Sequence, residues 1–429
     1  ASRKGNLPIY LLIDEYDNFT NTILSTYGTE YYQKATHGEG FVRGFFNVIK
    51  AATTGTGSAL QRMFITGVSP VTMDDVTSGF NIGTNITTDP WFNDLVGFSE
   101  AELREMLTYY KEQGVLMQTV DETIVMMKPN YDNYCFSEEK LAQCMFNSDM
   151  ALYFMKSFVL HHVKPKEIVD PNIRTDFNKL AYLIRLDHGL GENFSVIKEI
   201  AEQGEITTDI ATHFSALEMT DVRNFKSLLF YFGLLSIKGV DMVGRPILHV
   251  PNLVVREQLF SFLIQGYIKH DIFKIDMNRM TMLFENMAFR GDWKPLFNFI
   301  AEAIREQSRI REYIEGEAHI KGFLLAYLGM YRYYQLYPEY ELNKGFADFL
   351  FKPSPSVPVM PPLTYLLEVK YAKAGASEKE IRALADEARE QLLRYSQDEL
   401  VAEAKAKGGL KLITIVWCSW ELVLLEEVL

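Results

Sequence analysis

The stretch LTYLLEVKYAK, residues 363–373, constrains the fold more than any other segment of this 429-residue chain. Side chains on a strand alternate faces, so Glu368 and Lys370 point the same way, with Thr364 and Leu366 behind them. The opposite face carries Leu363, Tyr365, Leu367, Val369 and Tyr371. A strand this apolar on both faces is covered on both sides, and each charge taken out of water there costs several kcal/mol unless it is partnered. Asp348, set in the apolar run GFADFLF, poses the same problem twenty residues earlier.

The chain is too long for one ordinary core, so two or three domains are expected. Residues 1–125 read as α/β. PIYLLIDEYDNF and RMFITGVSP are buried-type strands separated by the helical stretch YYQKATHGEGFVRGFFNVIKAATTG, which implies a parallel sheet under helical cover. A loop over 74–94 leads into GFSEAELREMLTYYKEQG, where Ser99 and Glu102 form a capping box. Residues 126–285 are mostly helical. NFKSLLFYFGLLSIKG followed by RPILHVPNLVVREQLFSFLIQGY reads as helix, short hairpin, helix, the order of a winged-helix-like module. Residues 286–429 open with helices. Strand signals in YELNKGFADFLFK and TYLLEVKYAK then flank a Pro-rich loop, one helix is expected from Ser377 to Lys405, and LKLITIVWCSWELVLLEEV closes the chain as one or two strands. The expected order of this last block is α-β-β-α-β.

The chemistry concentrates in the last block. Two or three carboxylates converging at the end of a small sheet can hold Mg²⁺ or Mn²⁺ through hard oxygen ligands. Such an ion polarises a phosphate and makes its bound water a better nucleophile, while a neighbouring lysine orients that water or balances charge on phosphate oxygens. Glu317 on a helix, Asp348 on a strand and the Glu368–Lys370 pair on the next strand supply that set. Taken alone, Glu-x-Lys reads as a solvated strand end with an ion pair. Its apolar setting and the second misplaced acid, Asp348, favour the site.

GFADFLF followed by LTYLLEVKYAK resembles the PD-(D/E)xK nuclease superfamily, in the branch found at the C-terminus of bacterial AAA-ATPase-like proteins. The resemblance implies a restriction-endonuclease-like α/β domain. It assigns Asp348, Glu368, Lys370, Glu317 and Gln391 to catalysis, the carboxylates Asp348, Glu368 and Glu317 to the metal, and Tyr395 to the same helix face as Gln391. At the other end, IYLLIDEYDNF resembles a Walker B strand, which makes Asp14 and Glu15 the acids facing a nucleotide-bound magnesium, and FITGVSP resembles the sensor strand of the same ATPase family. No G-x-x-x-x-G-K-[ST] stretch occurs in the 429 residues, and GTGSALQR at 55–62 has the glycines but no lysine. ATP is therefore expected only if a P-loop lies upstream of Ala1, and the abrupt start before a core strand reads as a truncation.

Three cysteines without metal-ligand spacing point to a reducing, cytoplasmic setting. No apolar run reaches the roughly 18 residues of a membrane span. The net charge of −13 argues against nucleic acid coating the whole surface, but not against a local groove. The expected partners are nucleic acid, DNA before RNA, and further copies of the chain. The competing expectation is a non-catalytic scaffold that uses both folds for nucleic-acid binding, assembly or switching.

Overall fold

The structure, a computed structural model, describes residues 9–53, 60–71, 83–161, 192–269, 273–307, 316–342, 345–354, 359–407 and 409–428, with Ser58, Asp75, Pro165 and Val357. Near the N-terminus, β1 (Ile9–Ile13) and β2 (Leu60–Ile65) pair in parallel, as the two apolar runs predict. Helices α1 (Asn18–Tyr27), α2 (Thr29–Thr36) and α3 (Phe41–Thr53) connect them. Val42, Phe46 and Ile49 of α3 pack with Leu60 over one face of the pair. The other face is open among the described residues: Tyr10 is 63% and Leu12 77% exposed, so the expected full burial of β1 is not met.

Helices α4 (Glu100–Glu112), α5 (Val120–Tyr131) and α6 (Ser148–His161) share a core through Leu103, Leu107, Ile124, Met127 and Phe154. The capping box forms as expected, Ser99 N donating to Glu102 at 2.8 Å and Glu102 N to Ser99 Oγ at 3.2 Å. Residues 74 and 76–82 of the predicted 74–94 loop lie outside the described residues.

Next come α7 (Glu192–Gln203), β3 (Glu205–Thr207), α8 (Val222–Tyr231), the hairpin β4 (Ser236–Val240) and β5 (Pro246–His249), and α9 (Leu253–Lys269). The expected helix, hairpin, helix order is present. The three-residue strand β3, too short to show periodicity, adds to the hairpin in the antiparallel order β3-β5-β4. Helices α10 (Met277–Arg290) and α11 (Lys294–Glu306) follow. Residues 125 and 285, expected as boundaries, fall inside α5 and α10, whose buried side chains pack across those positions.

The C-terminal block consists of α12 (Glu317–Gly329), β6 (Tyr334–Leu342), β7 (Gly345–Pro353), β8 (Thr364–Ala372), α13 (Glu378–Tyr395), α14 (Glu399–Ala406), β9 (Leu410–Cys418) and β10 (Glu421–Glu427). Its five strands run in the order β10-β9-β8-β7-β6, parallel between β8 and β9 and antiparallel elsewhere. Two expectations change. YELNKGFADFLFK spans two paired strands rather than one. The Ser377–Lys405 helix breaks after Tyr395, where Ser396 Oγ donates to the Leu393 carbonyl at 2.9 Å and the next two amides turn back onto Arg394 and Tyr395. Serine and aspartate compete for backbone groups in this way and favour helix ends.

Strand β8 is covered on both faces, as its composition demands. On one side Tyr365, Leu367 and Val369 join Phe349, Phe351, Ile413 and the aromatic residues Phe284, Phe297 and Phe323 of α10, α11 and α12. On the other, Leu350, Leu366 and Leu412 pack under Leu392 and Tyr395 of α13. Asp348, Glu368 and Lys370 share the strand parity of this second side.

Candidate active site

Strands β7 and β8 pair through Phe349 with Leu367, Leu350 with Leu366 and Phe351 with Tyr365. The next pair in that register sets Asp348 opposite Glu368, and there the backbone ladder stops. Side chains replace it. Asp348 Oδ2 accepts the Val369 N–H at 2.6 Å, and Glu368 Oε2 accepts the Asp348 N–H at 3.4 Å. Each carboxylate is thus anchored to main chain where the strands part. Both residues are buried, Asp348 at 4% exposure and Glu368 at 3%.

Lys370, two residues on from Glu368, places Nζ 3.2 Å from Glu368 Oε1 and 3.3 Å from Glu387 Oε1 on α13. Gln391 lies one helical turn beyond Glu387, and its buried Oε1 has no hydrogen-bond partner among the described residues. On β9, Thr414 stands in register with Glu368, and its buried Oγ1 is likewise unpartnered. Tyr395, one turn beyond Gln391, is buried against the start of β7. A Cβ on Gly345 would lie 2.6 Å from the Tyr395 ring, so the glycine three residues before Asp348 lets α13 close on the strand.

Glu317, the first residue of α12, contacts neither Asp348 nor Glu368 directly in any described hydrogen bond or ion pair. It reaches Asp348 through Lys321, one turn later. Lys321 Nζ is 2.8 Å from Glu317 Oε1 and 3.2 Å from Glu339 Oε1, and it donates to Asp348 Oδ1. Glu339 sits on β6 between the pairs Pro338–Phe349 and Tyr340–Ala347, opposite Asp348, with φ at 45°. Five carboxylates and two ammonium groups therefore meet around one split in the sheet.

Burial and the Asp348 charge push the Glu368 carboxyl up to about 7 against the pull of Lys370. Burial likewise raises Asp348 against the pull of Lys321. For the two lysines burial acts downward, but the facing carboxylates outweigh it and both are raised.

The donor chemistry of the cluster, though not its resting arrangement, suits a divalent cation. The donors are all hard oxygens, the surplus charge is negative, and the unpartnered Gln391 oxygen is buried on the neighbouring helix. Among the described residues no three acidic, histidine or cysteine side chains are arranged to hold a metal ion.

Of the residues singled out by sequence, Asp348, Glu368 and Lys370 come together, Glu317 joins through Lys321, and Gln391 lies on α13 one turn beyond Glu387 with no described contact to the cluster. Lys321, Glu339, Glu387 and Thr414 were not anticipated. The four-residue spacing of Glu317 and Lys321 on one helix is the sequence signal for the first. The others depend on register between elements. Asp14 and Glu15 follow β1 and are exposed. Asp14 Oδ1 accepts from Thr66 at the tip of β2 and from the Glu15 N–H at 2.9 Å, and Glu15 has φ 49°.

A family model described as the PD-(D/E)XK nuclease superfamily matches residues 315–427, and one described as a predicted AAA-ATPase matches residues 1–77. No curated protein and no solved structure matches the chain. The chain carries a PD-(D/E)XK nuclease superfamily domain at its C-terminal end and an AAA-ATPase-like domain at its N-terminal end.

Proposed function

We propose that the C-terminal domain is a metal-dependent nuclease that hydrolyses phosphodiester bonds, with DNA as the first substrate to test. The observation that supports it most is the pair of buried carboxylates, Asp348 and Glu368, each anchored to main chain at the strand split with Lys370 beside them. Asp348, Glu368 and Glu317 are the residues that would hold Mg²⁺ or Mn²⁺, which supplies Lewis-acid polarisation of the phosphate and a more acidic water when bound. Lys370, held between Glu368 and Glu387, directs an N–H toward the attacking water or a non-bridging phosphate oxygen. The Gln391 carbonyl oxygen accepts a hydrogen bond from that water and limits its orientations.

In this reading Asp14, Glu15 and Thr66 are the acids and sensor-like hydroxyl of an ATPase site, and ATP turnover requires a phosphate-cradling loop that these 429 residues do not contain. The antiparallel order β3-β5-β4 beside α7, α8 and α9 is compatible with a winged-helix-like module and supports that reading. Its α8 buries Phe225, Leu228 and Leu229 in the main core, which favours a scaffold over a groove-reading element.

The test is cleavage of single- and double-stranded DNA and RNA with Mg²⁺ or Mn²⁺, using wild type, Asp348→Ala and Lys370→Ala. Cleavage by wild type alone supports the proposal. A second reading, a non-catalytic scaffold, is favoured by one observation: Lys370 and Lys321 each close onto a site carboxylate. It predicts no cleavage under any of these conditions and nucleic-acid binding that both variants retain.

A further inference from the structure

Three carboxylates from three elements converge on a single ammonium. Glu317 comes from the first turn of α12, Glu339 from β6 and Asp348 from β7, and Lys321 Nζ contacts all of them. The environment is graded. The Asp348 side chain is 6% exposed, Lys321 19%, Glu317 39% and Glu339 56%, so the lysine spans from the buried acid to the solvent edge. Asp348 has one oxygen committed, since Oδ2 holds the Val369 N–H. Oδ1 is the oxygen left for a cation, and Lys321 occupies it.

We propose that Lys321 is the resident counter-ion of the candidate site, which a divalent metal must displace from Asp348 Oδ1 and which then withdraws toward Glu317 and Glu339. The inference rests on the nuclease reading above and adds a competitor to it. An ammonium and a metal on the same carboxylate oxygen repel strongly at that separation, and partial burial weakens the screening by solvent. The withdrawal is short, because the outer partner Glu339 already lies 3.2 Å from Nζ. Charge also moves toward balance in the displaced state: Glu317, Glu339, Asp348, Glu368 and Glu387, counted as ionised against Lys321 and Lys370, leave three surplus negative charges, and one dication reduces these to one.

The experiment is calorimetric titration of Mn²⁺ into the full chain, comparing wild type, Lys321→Met and Asp348→Asn, with thermal unfolding of each. Lys321→Met should bind Mn²⁺ at least about tenfold more tightly than wild type, because a competing like charge is gone. It should also be less stable without metal and recover when Mn²⁺ is added. Equal or weaker binding by Lys321→Met overturns the inference while wild-type binding that Asp348→Asn abolishes leaves the nuclease reading standing. Loss of Mn²⁺ binding in both wild type and Lys321→Met removes the two together. A second measurement needs no variant: acetylation of Lys321 by an amine-directed reagent, followed by peptide mass analysis, should accelerate when wild type is saturated with Ca²⁺. An unchanged rate with bound Ca²⁺ also overturns it.

Discussion

Replacing Glu368 by glutamine should stabilise the metal-free protein at alkaline pH and destabilise it slightly at acid pH. Glu368 is 3% exposed, and its carboxyl is raised from 4.5 to about 7 by burial and by Asp348. A carboxyl raised in the folded state favours its protonated form there. The stability it contributes is therefore complete below 4.5 and is lost as pH rises through about 7. At about 1.36 kcal/mol per pH unit, ionising this group at pH 8 costs the fold ~3 kcal/mol. Glutamine stays neutral and avoids that cost. It also puts an amide N–H against either Lys370 or the Asp348 N–H, a loss of about 1 kcal/mol. The net expectation is a gain of about 1–2 kcal/mol at pH 8 and a loss of about 1 kcal/mol at pH 5. Urea unfolding in a chelator, followed by tryptophan emission, reads this part of the molecule. Trp417 lies on β9, Trp293 donates to Glu427 of β10 at 3.0 Å, and Trp420 packs against the same core. A Glu368→Gln midpoint below wild type at both pH values, with no wild-type loss between pH 5 and 8, would refute the reasoning.

Three further outcomes follow from the geometry. Lys370→Ala should lower the Mg²⁺-dependent cleavage rate by roughly 10²–10⁴-fold with an unchanged far-ultraviolet circular dichroism spectrum, since Glu387 is exposed and the buried Glu368, already raised to about 7, takes up a proton when its partner is lost. Gln391→Met removes a buried oxygen that has no partner, so metal-free stability should hold or rise by up to about 1 kcal/mol while the cleavage rate falls. Gly345→Ala drives a methyl to 2.6 Å from the Tyr395 ring and should cost about 1–3 kcal/mol. A Tyr395→Ala background should absorb most of that cost, and additive losses in the double variant would contradict the contact.

The residues legible in the sequence are those whose placement is local. Alternation along β8 puts Glu368 and Lys370 on one face without knowledge of any neighbour, and four-residue spacing puts Gln391 and Tyr395 on one side of α13. The apolar flanks of Asp348 show that it needs a partner, but not that the partner is Lys321. That contact depends on how α12 crosses the β6–β7 hairpin, as does the place of Glu339. The break between α13 and α14 was hidden because amphipathic spacing continues through Ser396–Asp398, while local hydrogen bonds end the helix there. Strand β1 failed in the opposite sense. Its continuous apolar run was read as burial, yet among the described residues only one face is covered.

Anomalous diffraction from crystals soaked in Mn²⁺ tests the central claim most directly. The account predicts a peak between the Asp348 and Glu368 carboxylates, with Lys321 Nζ moved off Asp348 Oδ1 toward Glu339. The absence of a peak at saturating Mn²⁺, with the Lys321–Asp348 and Lys370–Glu368 pairs intact, would contradict it.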